Sequence, residues 1–413
     1  MRVPVALLLA ASVLAGCSSS SPSTPGGHAP TTGVGDGWTF TSVLVGEGGD
    51  AETSITAAAN GVVLACSHGG FGKPSPSWVS KDSGMTWAPL DPQPNPVVSG
   101  DCDWAVDSDG VWAIVYDTIA SATVASTADQ GRSWAFDYGS AVPFGGVDRP
   151  WITADGNTFY LAYANVMADE PAVNTLAVSH DGGKTFAEHH VAHTFASEGT
   201  SAPQTVIGKP IVHGSTIRIP LASADLSNGG PTTLSFALSR DGGQTWAGQP
   251  IAAPYDTFFQ LPAATQAPDG TLFATKDEGT AGHMDLTVLV SRDDGESWSE
   301  IPVAHGFGQP SVSYAWIDAR PDNTATVAWM QDTGGGNRSV WAARVSADGI
   351  VHAARQVAGP FQDKATVEFI QVDHLPDGRA ILDYPVDTGA NCHKPGPAAP
   401  GRSHACVYAL VED

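Results

Sequence analysis

One local pattern returns five times along this 413-residue chain, and it limits the available folds more than any other feature. Its form is Ser/Thr-x-Asp-x-Gly-x-Thr/Ser-aromatic. The copies are SKDSGMTW at 80–87, TADQGRSW at 127–134, SHDGGKTF at 179–186, SRDGGQTW at 239–246 and SRDDGESW at 291–298. They are spaced by 47, 52, 60 and 52 residues, and a period of this size marks one supersecondary unit stacked on copies of itself. The aspartate can accept hydrogen bonds from N–H groups of its own turn, while glycine takes the left-handed conformation. Asp82, Asp129, Asp181, Asp241 and Asp293 are therefore read as structural, with each aromatic packed between neighbouring sheets.

A second ladder runs between these turns, where alternating strand-like segments are broken by two-residue turns. Its steps are Asn60-Gly61, Asp109-Gly110, Asp155-Gly156, His213-Gly214, Asp269-Gly270, Asp322-Asn323 and Asp377-Gly378. A strand precedes each step, a second follows it, a third leads into the octapeptide and a fourth leaves it. Four strands per repeat make a propeller blade. Ser346-Ala347-Asp348-Gly349 stands where a sixth octapeptide belongs but has lost its aromatic. The seventh repeat ends on its third strand, Ala405 to Val411, and Trp38 to Val45 can supply the fourth. The expectation is an all-β, seven-bladed β-propeller closed by its N-terminal strand.

The octapeptides resemble the Asp box, or BNR repeat, of the sialidase superfamily. That resemblance implies a ring with the boxes on the face opposite the ligand site, and gives six blades, the number in known sialidases, as the alternative count. Sialidase chemistry needs three arginines on a carboxylate, a tyrosine nucleophile with a glutamate partner, and an aspartate as acid and base. The family's first arginine lies in an Arg-Ile-Pro motif ahead of the first box. Here Arg218-Ile219-Pro220 falls in the fourth blade, so the motif does not carry over.

At the N-terminus, Arg2 precedes an apolar run that ends in Leu14-Ala15-Gly16-Cys17, which resembles a bacterial lipobox whose thiol is acylated after cleavage. Residues 1–17 are thus read as a lipoprotein signal, 18–37 as a Ser/Pro/Gly-rich tether with too little apolar surface to fold, and 38–413 as the propeller. No later apolar stretch reaches the ~18 to 20 residues that span a bilayer. The expected location is the bacterial cell envelope, exported and held by lipid alone. Ser18, in place of an inner-membrane retention aspartate, favours the outer leaflet or cell surface.

With 43 acidic against 19 basic residues and a net charge of −24, the chain should repel nucleic acid. Four cysteines besides Cys17 allow three pairings in an oxidising compartment, and Cys66 with Cys102 and Cys392 with Cys406 is the pairing expected. No cysteine or histidine spacing suggests a metal, and His189, His190 and His193 are read as solvated on an outer strand.

The residues starting each first strand, together with the loops between second and third strands, should converge around the axis on one face, the default pocket. Arg149, Arg338 and Arg402 are expected to reach that face as ligand-binding groups, with Asp148, Glu368 and Tyr384 as the catalytic set if the chain is an enzyme. Three functions compete: binding a glycan or an envelope protein without chemistry, exo-sialidase-type hydrolysis of terminal acidic sugars, and assembly or stability of a membrane complex. All three are read for a monomer without cofactor.

Overall fold

The computed structural model describes residues 37–47, 52–69, 73–94, 100–118, 121–142, 147, 149–165, 173–193, 204–224, 231–257, 261–280, 283–308, 315–334, 337–362, 369–386, 392 and 406–413. They form seven antiparallel sheets and no helix. Blade 1 takes its strands, inside to outside, from Thr53–Ala57, Val63–Ser67, Ser77–Ser80 and Ala88–Pro89. Blades 2, 3 and 5 repeat that order, starting from Cys102–Val106, Trp151–Asp155 and Ala264–Gln266.

Blade 7 is closed by strand exchange. Gln371–His374, Ala380–Val386 and Cys406–Glu412 are its three inner strands, and Phe40–Glu47 pairs with the last of them from Phe40↔Glu412 to Glu47↔Cys406. The closing strand starts two residues later than expected because Trp38 turns into the core instead. Its indole N–H donates to Glu412 Oε1 at 2.9 Å, and its ring stacks on His352 of blade 6. The count is therefore seven, and the six-blade alternative is excluded.

Two blades depart from the pattern. The innermost strand of blade 4 is split into Gln204–Ile207 and Ile211–His213, both paired to Thr216–Ala224. In blade 6 the degenerate sixth octapeptide has become a tight hairpin, with Ser346 paired to Gly349 and a 14-residue outer strand, Gly349–Gln362, following it.

The five octapeptides fold alike. In the first, Asp82 accepts the Thr86 N–H at 2.8 Å, the Thr86 hydroxyl at 2.7 Å and the Ser80 hydroxyl at 2.8 Å, while Ser80 Oγ accepts the Gly84 N–H at 2.8 Å. Glycine is required because φ is +87° at Gly84 and similarly positive at Gly131, Gly183, Gly243 and Gly295. The hydrogen-bond donors, led by the Ser133, Thr245 and Ser297 hydroxyls, hold Asp129, Asp241 and Asp293 down to about 2.

The core lies in the wedges between blades. Cys66, Cys102, Trp104, Trp112 and Tyr116 fill the wedge between blades 1 and 2, where the Cys66–Cys102 disulfide ties the two together. Cys392–Cys406 is the second disulfide, so both pairings are as expected. Tyr384, Phe361 and Tyr408 stack in the wedge between blades 6 and 7.

Candidate axial site

The innermost strands of the seven blades surround the axis. There Trp151 of blade 3 meets Trp316 of blade 6 with ring centroids 5.0 Å apart, so aromatic rings fill the centre. Beside them, Lys209 Nζ lies 3.1 Å from the Asp103 carboxylate and 2.9 Å from Trp104 O. Lys209 occupies the break in the blade 4 strand and reaches past blade 3 to blade 2. The preceding Gly208 packs so closely on blade 5 that a Cβ would sit 1.9 Å from Pro262 O.

Asp103 also accepts the Ile152 N–H at 2.9 Å, and the Ser54 hydroxyl lies 2.7 Å from it and 3.0 Å from Gln371 Oε1. Blades 7, 1, 2, 3 and 4 are thereby linked. Nearer the Asp-box face, Asp373 accepts the Thr56 hydroxyl and the Ala57 N–H, and His374 bridges Asp318 at 2.7 Å and Thr326 at 3.0 Å. These are blade-to-blade ties: Thr326 is fully buried and already faces Arg320, so the carboxylate–imidazole–hydroxyl array has no open nucleophile.

The opposite face is capped by Arg149. Its guanidinium carbon stands 4.6 Å over the Trp151 ring and 4.2 Å from the Phe369 ring centre. Nη2 donates to Thr53 O and Cys102 O, both at 3.3 Å. Among the described residues Nε and Nη1 have no hydrogen-bond partner, although the residue is only 5% exposed. An unpaired buried donor is costly, and here the N–H groups belong to a fixed cation backed by two aromatic faces. Such a group is suited to oxygen ligands presented in its plane.

Two buried carboxyls feel that charge and respond in opposite ways. Burial pushes Asp101 up, but Arg149, a hydrogen bond with Glu52 and nearby His68 outweigh it and hold the carboxyl below its ordinary value. Asp101 Oδ1 also has no partner among the described residues. Burial lifts Asp383 to about 7 despite the Gln371 N–H, the Thr53 hydroxyl and Arg149. A third buried carboxyl, Asp277 in blade 5, is lifted by burial to about 7 against the Ala315 N–H. Among the described residues no three His, Cys, Asp or Glu side chains gather as a metal site.

Of the residues singled out from sequence, Arg149 lies on the axis. Arg338 lies on the third strand of blade 6, opposite Asp332 and Phe361. The Tyr384 hydroxyl is 3.0 Å from Ser42 of the closing strand; burial, with Tyr408 beside it, lifts its ionisation well above the ordinary phenol although that hydrogen bond pulls it down. Cys17, Asp148, Glu368 and Arg402 lie outside the described residues. His190 corrects the reading of a solvated histidine stretch: its Nε2 donates to Glu188 at 2.6 Å and its ring packs on Gly243 of the next blade. Asp383, Lys209 and Gln371 were not foreseen as axial groups.

No protein family and no curated protein matches this chain in sequence. Its fold is similar to an α-L-arabinanase of Penicillium chrysogenum determined with arabinobiose, at 16% identity and a TM-score of 0.50, over 76% of this chain and 100% of that one. It is also similar to a Dyadobacter fermentans protein of unknown function, at 14% identity and a TM-score of 0.50, over 90% and 99%. NanB, the sialidase of Streptococcus pneumoniae, in a structure with Optactamide, matches at 12% identity and a TM-score of 0.50, over 91% and 70%. At these identities the likeness is one of fold. The chain is a seven-bladed β-propeller whose structural neighbours include glycosidases.

Proposed function

We propose that this protein is an exported propeller, lipid-anchored through Cys17, that binds a glycan on the axial face capped by Arg149. The observation that carries this reading is the pair of buried Arg149 N–H groups at the axis that have no partner among the described residues, stacked on Trp151 and Phe369 and near the buried Oδ1 of Asp101. Sugar hydroxyl and carboxylate oxygens are the acceptors such donors lack in the free protein. The neighbours' bound arabinobiose and sialidase activity support a sugar as the ligand class. The two disulfides support an oxidising, extracytoplasmic location. A glycan array probed with the purified propeller tests the reading: binding that is lost in Arg149→Met supports it, and no binding to any glycan, or binding unchanged in that variant, rejects it.

Glycoside hydrolysis is the second reading, favoured by the divergent ionisation of Asp101 and Asp383 around one guanidinium. One carboxyl kept protonated near neutrality and one kept ionised are the two states that acid-assisted cleavage requires. A sialidase-type assignment with Tyr384 as nucleophile is less well supported, since its hydroxyl is engaged with Ser42 in a packed wedge. Release of 4-methylumbelliferone from a panel of neutral and acidic glycosides, lost in Asp383→Asn, would establish hydrolysis; no turnover leaves binding alone.

A further inference from the structure

We infer that the Asp-box face is the side turned toward the anchoring membrane and that the axial Arg149 site faces away from it, so its glycan is reached from the aqueous side. This rests on the proposed acylation of Cys17. The argument begins with the direction of the closing strand. Phe40 pairs with Glu412 and Glu47 with Cys406, so the strand runs from the Asp-box face toward the Arg149 face. Whatever precedes Gly37 therefore joins the ring at the Asp-box rim.

That junction has no slack. The Trp38 indole is held by Glu412, which is itself paired to Arg320 at 2.7 Å, and the Trp38 carbonyl accepts from Arg355 at 2.5 Å. The Asp413 N–H donates to Thr39 O, and the Thr41 hydroxyl to the Asp413 carboxylate. The chain is fixed from Trp38 onward, and the closing strand does not peel away to lengthen the tether.

Reach then sets the preference. From its Ser/Pro/Gly-rich composition, a stretch as long as residues 18–37 is expected to span about 25 Å. The eight-residue closing strand alone rises roughly the same distance, about 26 Å, between the two faces. Placing the Arg149 face on the bilayer would require the tether to climb the full height of the ring and cross its rim. With the Asp-box face down, the tether keeps its ordinary span. The connections differ in the same sense: the Asp-box side carries the two-residue turns and octapeptides, whereas the longest connection, between Val386 and Cys406, leaves from the other side, where ligand-binding loops are expected.

The test uses the full-length lipoprotein purified from membranes, with acylation of Cys17 read by intact mass. A donor dye is placed at Lys184→Cys, exposed on the Asp-box face of blade 3, or at Thr333→Cys, exposed at the opposite face of blade 6. Each labelled protein is reconstituted into phosphatidylethanolamine/phosphatidylglycerol vesicles carrying a rhodamine-labelled lipid. The expected result is a larger loss of donor emission at position 184 than at 333. Equal or reversed quenching on acylated protein overturns the orientation alone. A Cys17 without acyl chains overturns the anchor and the orientation together.

Discussion

The Lys209 ammonium lies 3.1 Å from the Asp103 carboxylate and so joins blade 4 to blade 2 past the blade between them. Asp103 is fully buried, and the Ser54 hydroxyl and Ile152 N–H satisfy its oxygens without neutralising its charge. Removing the ammonium while keeping the chain length, as in Lys209→Met, leaves a buried charge without its counterion. The expected loss is about 3 kcal/mol, measured by urea unfolding. Asp103→Asn in the same background should recover part of it.

The closing strand makes the ring's integrity depend on a few N-terminal residues. Trp38→Ala removes a buried indole from the seam between blades 6 and 7 and should cost about 3–5 kcal/mol, read as a lowered urea midpoint. Deleting residues 1–47 should go further. It exposes the Cys406–Glu412 strand as an open edge, for which self-association on gel filtration is the expected outcome.

The pH dependence has two parts with opposite signs. Asp277 is lifted by burial from 3.8 to about 7, so the native state keeps a proton that the unfolded chain releases. Its contribution is complete below pH ~4 and is lost as pH rises through 7, by at most about 4 kcal/mol at ~1.4 kcal/mol per pKa unit. Asp277→Asn should flatten this decline in thermal unfolding between pH 5 and pH 8. The box aspartates act in the other direction. Asp129, Asp241 and Asp293 are held at about 2 by their turn's donors, so the stability they confer is present above pH ~4 and lost as pH falls through 2.

Gly208 has the carbonyl of Pro262 where a side chain would begin. Gly208→Ala must therefore move one of the two inner strands, and with it Lys209. Reduced stability without loss of disulfide content, followed by calorimetry and thiol titration, is the expected outcome.

Most of the ring is legible in the sequence because turn chemistry is local. The Asp-Gly steps and the octapeptides mark both ends of nearly every strand, and the truncated seventh repeat calls for an N-terminal partner. The axis is harder to read. Lys209 follows a break in an inner strand, and neither hydrophobic period nor turn residues reveal which distant carboxylate it meets. Arg149 stands out because an arginine two residues before a tryptophan at the start of an inner strand has few other directions to point. Tyr384 shows the converse: alternation puts it on one side of its sheet but does not disclose that Ser42, more than three hundred residues away, takes its hydroxyl. Asp383 carries no local signal, since its raised ionisation comes from burial by other blades.

The central claim is that the Arg149 N–H edge is a glycan-binding group, and calorimetric titration tests it most directly. The strongest glycan from the array would be titrated into the wild-type protein, Arg149→Met and Arg149→Lys, with circular dichroism confirming a folded ring in each. The account predicts a loss of about 100-fold in affinity for Arg149→Met, as expected for roughly 2–3 kcal/mol of charge-assisted hydrogen bonding, and incomplete recovery with lysine. Equal affinity in all three folded proteins would contradict it.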